Sequence, residues 1–123
     1  MKIYPALSVV TPAGSRIRSG RKTVEVRKWR PDVLPLRDLL IVQNEIRLSR
    51  SGVTEDPNGK VVALVDVVSV TGWEEAHLAA SCAPYWKEGW LAWHLTNIRP
   101  LDWDVVIPAR RRIYEVELSE GLE

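Results

Sequence analysis

GRKTVEVR, at residues 20–27, is the stretch on which the interpretation of this chain depends. Polar and apolar residues alternate along it, with Thr23, Glu25 and Arg27 on one side and two valines on the other. This alternation predicts a β-strand over residues 22–29. The glycine before the strand can adopt the positive φ angle that a chain reversal requires. We therefore expect the valines to face the core and the polar side to form a site.

Glu25 lies in a strongly basic part of the sequence. Residues 16–30 contain seven basic side chains and one acidic side chain. Neighbouring cations keep a carboxylate ionised, so Glu25 is expected to be paired. Two interpretations stay open: Lys22, Glu25 and Arg27 form a ligand pocket, or they form an internal salt-bridge network that only stabilises the fold.

The composition indicates one globular domain spanning residues 1–123. A net charge of +1 gives no global attraction for nucleic acid, so any such signal must be local. The single cysteine excludes an internal disulfide and fits a reducing compartment. No apolar run approaches the roughly 20 residues that span a bilayer. We expect a cytoplasmic protein with no membrane partner.

The hydrophobic pattern predicts about six strands with two or three short helices. The expected strands cover residues 4–10, 22–29, 38–44, 60–70 and 90–99, and residues 105–107 and 112–118 supply the last strand or strands; the helices cover 13–19 and 73–81. Thr11 is expected to cap the first helix, and Asn58-Gly59 to form a hairpin turn. This order predicts an α+β fold, a small mixed β-barrel.

Several side chains have chemistry suited to a ligand. An ionised Glu25 can accept hydrogen bonds from an amino group, and Lys22 and Arg27 can hold a phosphate or carbonyl oxygen. Trp29, Trp90 or Trp93 can stack on a base, and His94 can orient a ligand. Asp66, alone in an apolar strand, is expected to be a structural carboxylate with partners.

The motif GxKxxExR, here Gly20, Lys22, Glu25 and Arg27, resembles the signature of the activating-signal-cointegrator homology (ASCH) domains. That family shares a barrel fold with the PUA RNA-binding domains. A second run, Trp93-x-Leu95-x-Asn97-x-Arg99-Pro100, is similar to the family too. The resemblance implies a PUA-like fold that binds RNA or a possibly modified nucleoside or nucleotide at the barrel mouth. The implied ligand-binding residues are Lys22, Thr23, Glu25, Arg27, Trp29, Trp93, His94 and Asn97.

A second possible function, hydrolysis of the same class of ligand, uses the same residues. Some similar proteins are amidohydrolases that deacylate a modified cytidine, and others resemble ribonucleases, which would make Lys22 and Glu25 catalytic. The threonine that acts with the motif lysine in the amidohydrolases is replaced here by Glu25. The third class is a protein-interaction domain, suggested by six tryptophans. We expect a monomer or homodimer without an obligate protein partner.

No Gly-rich phosphate loop and no paired-cysteine signature occurs in the sequence. We therefore expect neither a metal nor a cofactor.

Overall fold

The computed structural model describes residues 1–101 and 105–118, and these contain seven strands, two short α-helices and one 3₁₀ turn. Their bounds are β1 Lys2–Val10, α1 Ala13–Arg18, β2 Val24–Arg27, β3 Leu36–Asn44, β4 Glu55–Gly72, the 3₁₀ turn Glu75–His77, α2 Leu78–Ser81, β5 Leu91–Pro100, β6 Val106–Arg110 and β7 Ile113–Leu118. No helix in this part of the chain is long and apolar enough to cross a membrane.

The strands form one mixed sheet in the order β2-β5-β4-β3-β1-β7, with β6 paired to the first part of β4. The pairing of β1 with β3 is parallel, and the other pairings are antiparallel. The α+β class is thus confirmed. A closed barrel is not, because the ladders of the described strands end at β2 on one side and at β7 on the other.

Apolar side chains cover both faces of the central strands. On β3, Leu40 and Val42 pack into one core cluster, whereas Leu39 and Ile41 pack into the other. Successive side chains of a strand point to opposite faces, so an unbroken apolar run fits a position between two cores. The strands expected at residues 38–44 and 60–70 are both present, with longer bounds.

The strand of the opening motif is shorter than expected. Val24 faces a small core with Trp73 and Ala92, as the alternation predicts. The two residues before Val24 bond outside the ladder, because Lys22 N donates to the Arg16 carbonyl and Thr23 N donates to the Ala80 carbonyl. The strand over 22–29 is therefore reduced to Val24–Arg27.

Two local predictions about helices need correction. Pro12, not Thr11, occupies the N-cap position of α1, and no side chain caps that end. The helix expected over 73–81 is divided into the 3₁₀ turn and α2. At the start of that turn the Glu74 and His77 side chains bond each other's backbone N–H groups as a capping box.

The prediction of a hairpin turn at Asn58-Gly59 is wrong, because both residues lie inside β4. The register of β4 against β6 shifts between Asp56 and Gly59, so the turn signal produces a bulge instead of a reversal. The Asp56 carboxylate stabilises this bulge by accepting a hydrogen bond of 2.9 Å from Asn58 N. Gly59 is required there because a Cβ would lie 2.5 Å from the Ile107 carbonyl oxygen.

Replacing Gly59 by alanine is predicted to destabilise the fold by about 1–3 kcal/mol, because the strand that carries Ile107 must move. The matched control is Gly72→Ala in the same strand, where a Cβ would meet nothing within 4 Å. In urea denaturation, the free energy of unfolding of the control should lie within about 0.5 kcal/mol of that of wild type. Equal effects of the two substitutions would contradict the close approach.

Candidate functional site

A cleft of about 450 Å³ opens beside β2. It is bordered by the end of β1, by β2, by the loop after β3 and by the connection between β6 and β7. Among the described residues that line it, one is acidic, Glu25, and six are basic: Arg27, Lys28, Arg47, Arg110, Arg111 and Arg112. The local charge of the cleft therefore differs sharply from the near-neutral charge of the chain.

Glu25 is the centre of the ionic network at this cleft. Its side chain lies between two cations, with Lys22 Nζ 3.2 Å from Oε1 and Arg27 Nη2 2.7 Å from Oε2. Arg27 Nε donates a hydrogen bond of 2.8 Å to the same Oε2. Burial raises the pKa of Glu25, and the charges of Arg27 and Lys22 outweigh it, so the pKa lies below its ordinary value. The carboxylate is ionised near neutral pH.

Lys22 supports Glu25 from inside the fold. Lys22 is only 7% exposed, and its Nζ donates hydrogen bonds to the Val24 carbonyl at 3.0 Å and to the Ser81 carbonyl at 2.7 Å. With the Glu25 contact, the ammonium group has three polar partners inside the fold. Lys22 is not one of the residues that line the cleft. Its contact with the site is therefore through Glu25.

Arg27 joins two strands that share no ladder among the described pairings. From β2 its guanidinium reaches β1, where Nη2 donates a hydrogen bond of 2.8 Å to the Ser8 carbonyl. The Ser8 hydroxyl lies 2.7 Å from the Tyr114 hydroxyl on β7. A side-chain bridge thus connects the two ends of the sheet beside the cleft.

Two half-buried tryptophans, Trp29 and Trp90, line the cleft. Each has a cation over its ring: Arg112 Cζ lies 4.2 Å from the centroid of Trp29, and Lys28 Nζ lies 4.7 Å from that of Trp90. Trp93 packs edge-on against Trp29 at 4.9 Å, but it is fully buried. Trp93 is not one of the residues that line the cleft.

Three other expected ligand residues lie elsewhere. His94 Nε2 is 2.8 Å from the Thr71 hydroxyl, and its ring packs edge-on against His77. Asn97 Nδ2 donates to Asp66 at 3.1 Å. The backbone of Thr23 bonds Ala80 and Leu95. None of His94, Asn97 and Thr23 lines the cleft, so Glu25, Arg27 and Trp29 are the expected residues found there.

Asp66 is a structural carboxylate, as the sequence predicts. It is 4% exposed and accepts hydrogen bonds from Asp38 N, Arg37, Asn97 and Arg99. Burial raises its pKa, but these partners outweigh that effect and leave the pKa below its ordinary value. Asp66 thus resembles Glu25 in burial and charge but does not line the cleft.

The sequence prediction missed several cleft residues that come from connections. Arg47 follows β3, and Arg111 and Arg112 join β6 to β7. The run of three arginines at 110–112 is visible in the sequence, but nothing local predicts that it faces β2. Asn44 also lines the cleft; it is 1% exposed, and its Oδ1 has no hydrogen-bond partner among the described residues.

The ASCH domain family model matches residues 7–104, which is most of the chain. The chain therefore belongs to the ASCH domain family. It is similar to the crystal structure of ASCH from Zymomonas mobilis, with 15% identity, a TM-score of 0.55, and coverage of 89% of this chain and 87% of that one. A mutant of the Zymomonas protein gives 18% identity, a TM-score of 0.51, and coverage of 89% and 88%. At these identities the likeness shows the fold alone. No curated protein matches this chain.

Replacing Lys22 by methionine is predicted to reduce the free energy of unfolding by about 3–5 kcal/mol. The substitution removes one partner of the buried Glu25 and leaves the Val24 and Ser81 carbonyls without their donor. Lys87→Met, at an exposed position, is the control and should change stability by less than about 0.5 kcal/mol. A loss no greater than that of the control would show that Lys22 contributes nothing to the fold.

The pH dependence of stability should also report on Glu25. Because its pKa is depressed in the folded protein, ionised Glu25 stabilises the fold above the unfolded pKa, near 4.5, and this contribution is lost as the pH falls through the folded pKa. The stability difference between wild type and Glu25→Gln should therefore narrow below about pH 4.5. Urea denaturation from neutral to acidic pH measures it. A constant difference over that range would contradict the depressed pKa.

Proposed function

We propose that this ASCH domain binds RNA or a nucleotide in the cleft beside β2. The observation that carries the proposal is the position of an ionised carboxylate, Glu25, at a cavity whose other charged lining residues are cations. A cavity of about 450 Å³ falls within the size range of small-ligand sites. It suits one nucleotide, either free or turned out of an RNA strand.

Glu25 supports recognition of a base through its remaining acceptor capacity. Oε2 accepts a hydrogen bond from Arg27 Nε and lies 2.7 Å from Arg27 Nη2, whereas Oε1 has Lys22 as its one partner among the described residues. A carboxylate oxygen can accept two hydrogen bonds, so one position on Oε1 remains open to a donor. The exocyclic amino groups of cytosine, adenine and guanine provide such donors.

The cations around the cleft support a polyanionic ligand. Lys22 and Arg27 already neutralise Glu25, so the remaining basic side chains of the cleft act on a ligand without an opposing charge from that carboxylate. Attraction between Lys or Arg side chains and phosphates supplies much of the affinity of proteins for nucleic acids. The ligand's affinity is therefore expected to fall as salt is added.

Binding is favoured over hydrolysis by the state of Lys22. An ammonium group that two backbone carbonyls and a carboxylate hold inside the fold is poorly placed to exchange a proton with a ligand. Hydrolysis and protein interaction stay as predictions from the sequence, and incubation with labelled RNA tests the first directly.

The test is binding of a fluorescently labelled single-stranded RNA to Glu25→Gln, measured by anisotropy at a temperature where circular dichroism shows the variant folded. Loss of a charged hydrogen bond to the base should weaken binding by about tenfold or more. Asp66→Asn is the matched control, because Asp66 is equally buried and ion-paired but lies away from the cleft.

Wild-type affinity in folded Glu25→Gln would contradict the proposal, as would an equal loss in Asp66→Asn. Shortening of the RNA on a denaturing gel would replace binding by hydrolysis as the function.

A further inference from the structure

We propose that Arg111 and Arg112, in the connection between β6 and β7, form a phosphate clamp. The ligand of the cleft is then a phosphorylated nucleotide or the backbone of an RNA strand, and not a free nucleoside. This inference rests on the proposed function and narrows its ligand class. It is carried by the conformation of Arg112, by its contact with Trp29 and by the surroundings of the two guanidinium groups.

Arg112 has a backbone conformation that its residue type disfavours. Its φ angle is 60°, in the left-handed region that glycine and asparagine occupy most readily. An arginine at such a position has a conformational cost that glycine or asparagine largely avoids. Its side chain lies at the cleft, since Arg112 is one of the lining residues.

Trp29 holds the Arg112 side chain at the wall of the cleft. The guanidinium carbon is 4.2 Å from the ring centroid, a distance at which the cation is attracted to the ring face. Such a contact does not use the N–H groups, and a guanidinium has five of them. Within residues 1–101 and 105–118, no group accepts a hydrogen bond from Arg112. The cation is therefore pre-positioned with its donors available.

Arg111 provides a second guanidinium in the same connection. It is partly buried, lines the cleft, and has no ion-pair partner among the described residues. Arg110 differs, because its Nε is 3.8 Å from Glu55 Oε1. Guanidinium groups on two consecutive residues that line one cleft, without a carboxylate partner among the described residues, match a phosphate, whose oxygens accept the paired N–H donors of arginine.

A solvated basic surface would account for arginines in an exposed loop, but it fits these two residues poorly. A solvated arginine needs neither a strained backbone nor an aromatic ring to hold it, and Arg112 has both. The clamp lies in the same cleft as Glu25, so one ligand can present a phosphate to the arginines and a base to the carboxylate.

Isothermal titration with the four ribonucleosides, their 5′- and 3′-monophosphates and inorganic phosphate tests the clamp. We expect the monophosphate of the preferred base to bind wild type about tenfold or more tightly than the matching nucleoside, since a charge-assisted pair contributes that much. Arg112→Asn keeps a residue that tolerates the left-handed conformation but removes the charge. It should reduce the difference between monophosphate and nucleoside, since only Arg111 of the clamp remains, and leave the melting temperature nearly unchanged.

Arg21→Asn is the matched control, because Arg21 is exposed and does not line the cleft. It should behave as wild type in every titration. A second measurement is the salt dependence of monophosphate binding, whose slope should decrease in Arg112→Asn but not in Arg21→Asn.

The outcomes separate the clamp from the proposed function. If nucleosides bind as tightly as monophosphates, or if Arg112→Asn keeps the difference, the clamp is overturned and nucleoside binding stands. If phosphate binds through Arg112 but no nucleoside, nucleotide or RNA does so with Glu25-dependent affinity, the clamp stands and the proposed function fails. If neither these compounds nor the labelled RNA binds, both are overturned.

Discussion

The ion pair between Glu25 and Arg27 is the contact on which the cleft depends. It fixes the guanidinium in a position from which Nη2 reaches the Ser8 carbonyl, so β2 is connected to β1 although the ladders leave them unpaired. Lys22 completes the arrangement by joining Glu25 to the end of α2 through Ser81. One buried carboxylate thus organises two strands and a helix. A buried charge is stable only with such partners, which explains why the three residues occur together.

Comparison of Glu25 with Asp66 shows that burial and ion pairing alone do not define a site. Both carboxylates are nearly inaccessible, and both have depressed pKa values because their hydrogen-bonding and cationic partners outweigh burial. The Asp66 carboxylate accepts four hydrogen bonds, which come from residues of β3 and β5. Glu25 borders an open volume and keeps acceptor capacity. The difference that supports a function is the cavity beside the carboxylate, not its protonation.

The parts of this structure that could be predicted are those determined by neighbouring residues. Alternation correctly placed Val24 towards the core, and apolar runs located β3 and β4. The turn preference of Asn58-Gly59 led to a wrong hairpin prediction, because the pairing of β4 with β6 overrides it. Strand parity separates the faces of β5 but does not tell which face borders a cavity, and neither Trp93 nor His94 lines the cleft. The arginines of the β6–β7 connection reach the cleft through contacts between distant segments, which no local pattern encodes.

The absence of a ladder between β1 and β2 in the described sheet has a chemical consequence of its own. From Ser8 onward β1 pairs only with β3, and β2 pairs only with β5, so two stretches of polypeptide edge border the cleft. Amide and carbonyl groups on those edges belong to the main chain, so a substitution other than to proline leaves them in place. A ligand contact made through them would persist in such variants, and amide hydrogen exchange at Ser8–Val10 and Val24–Arg27 would detect it at the N–H groups.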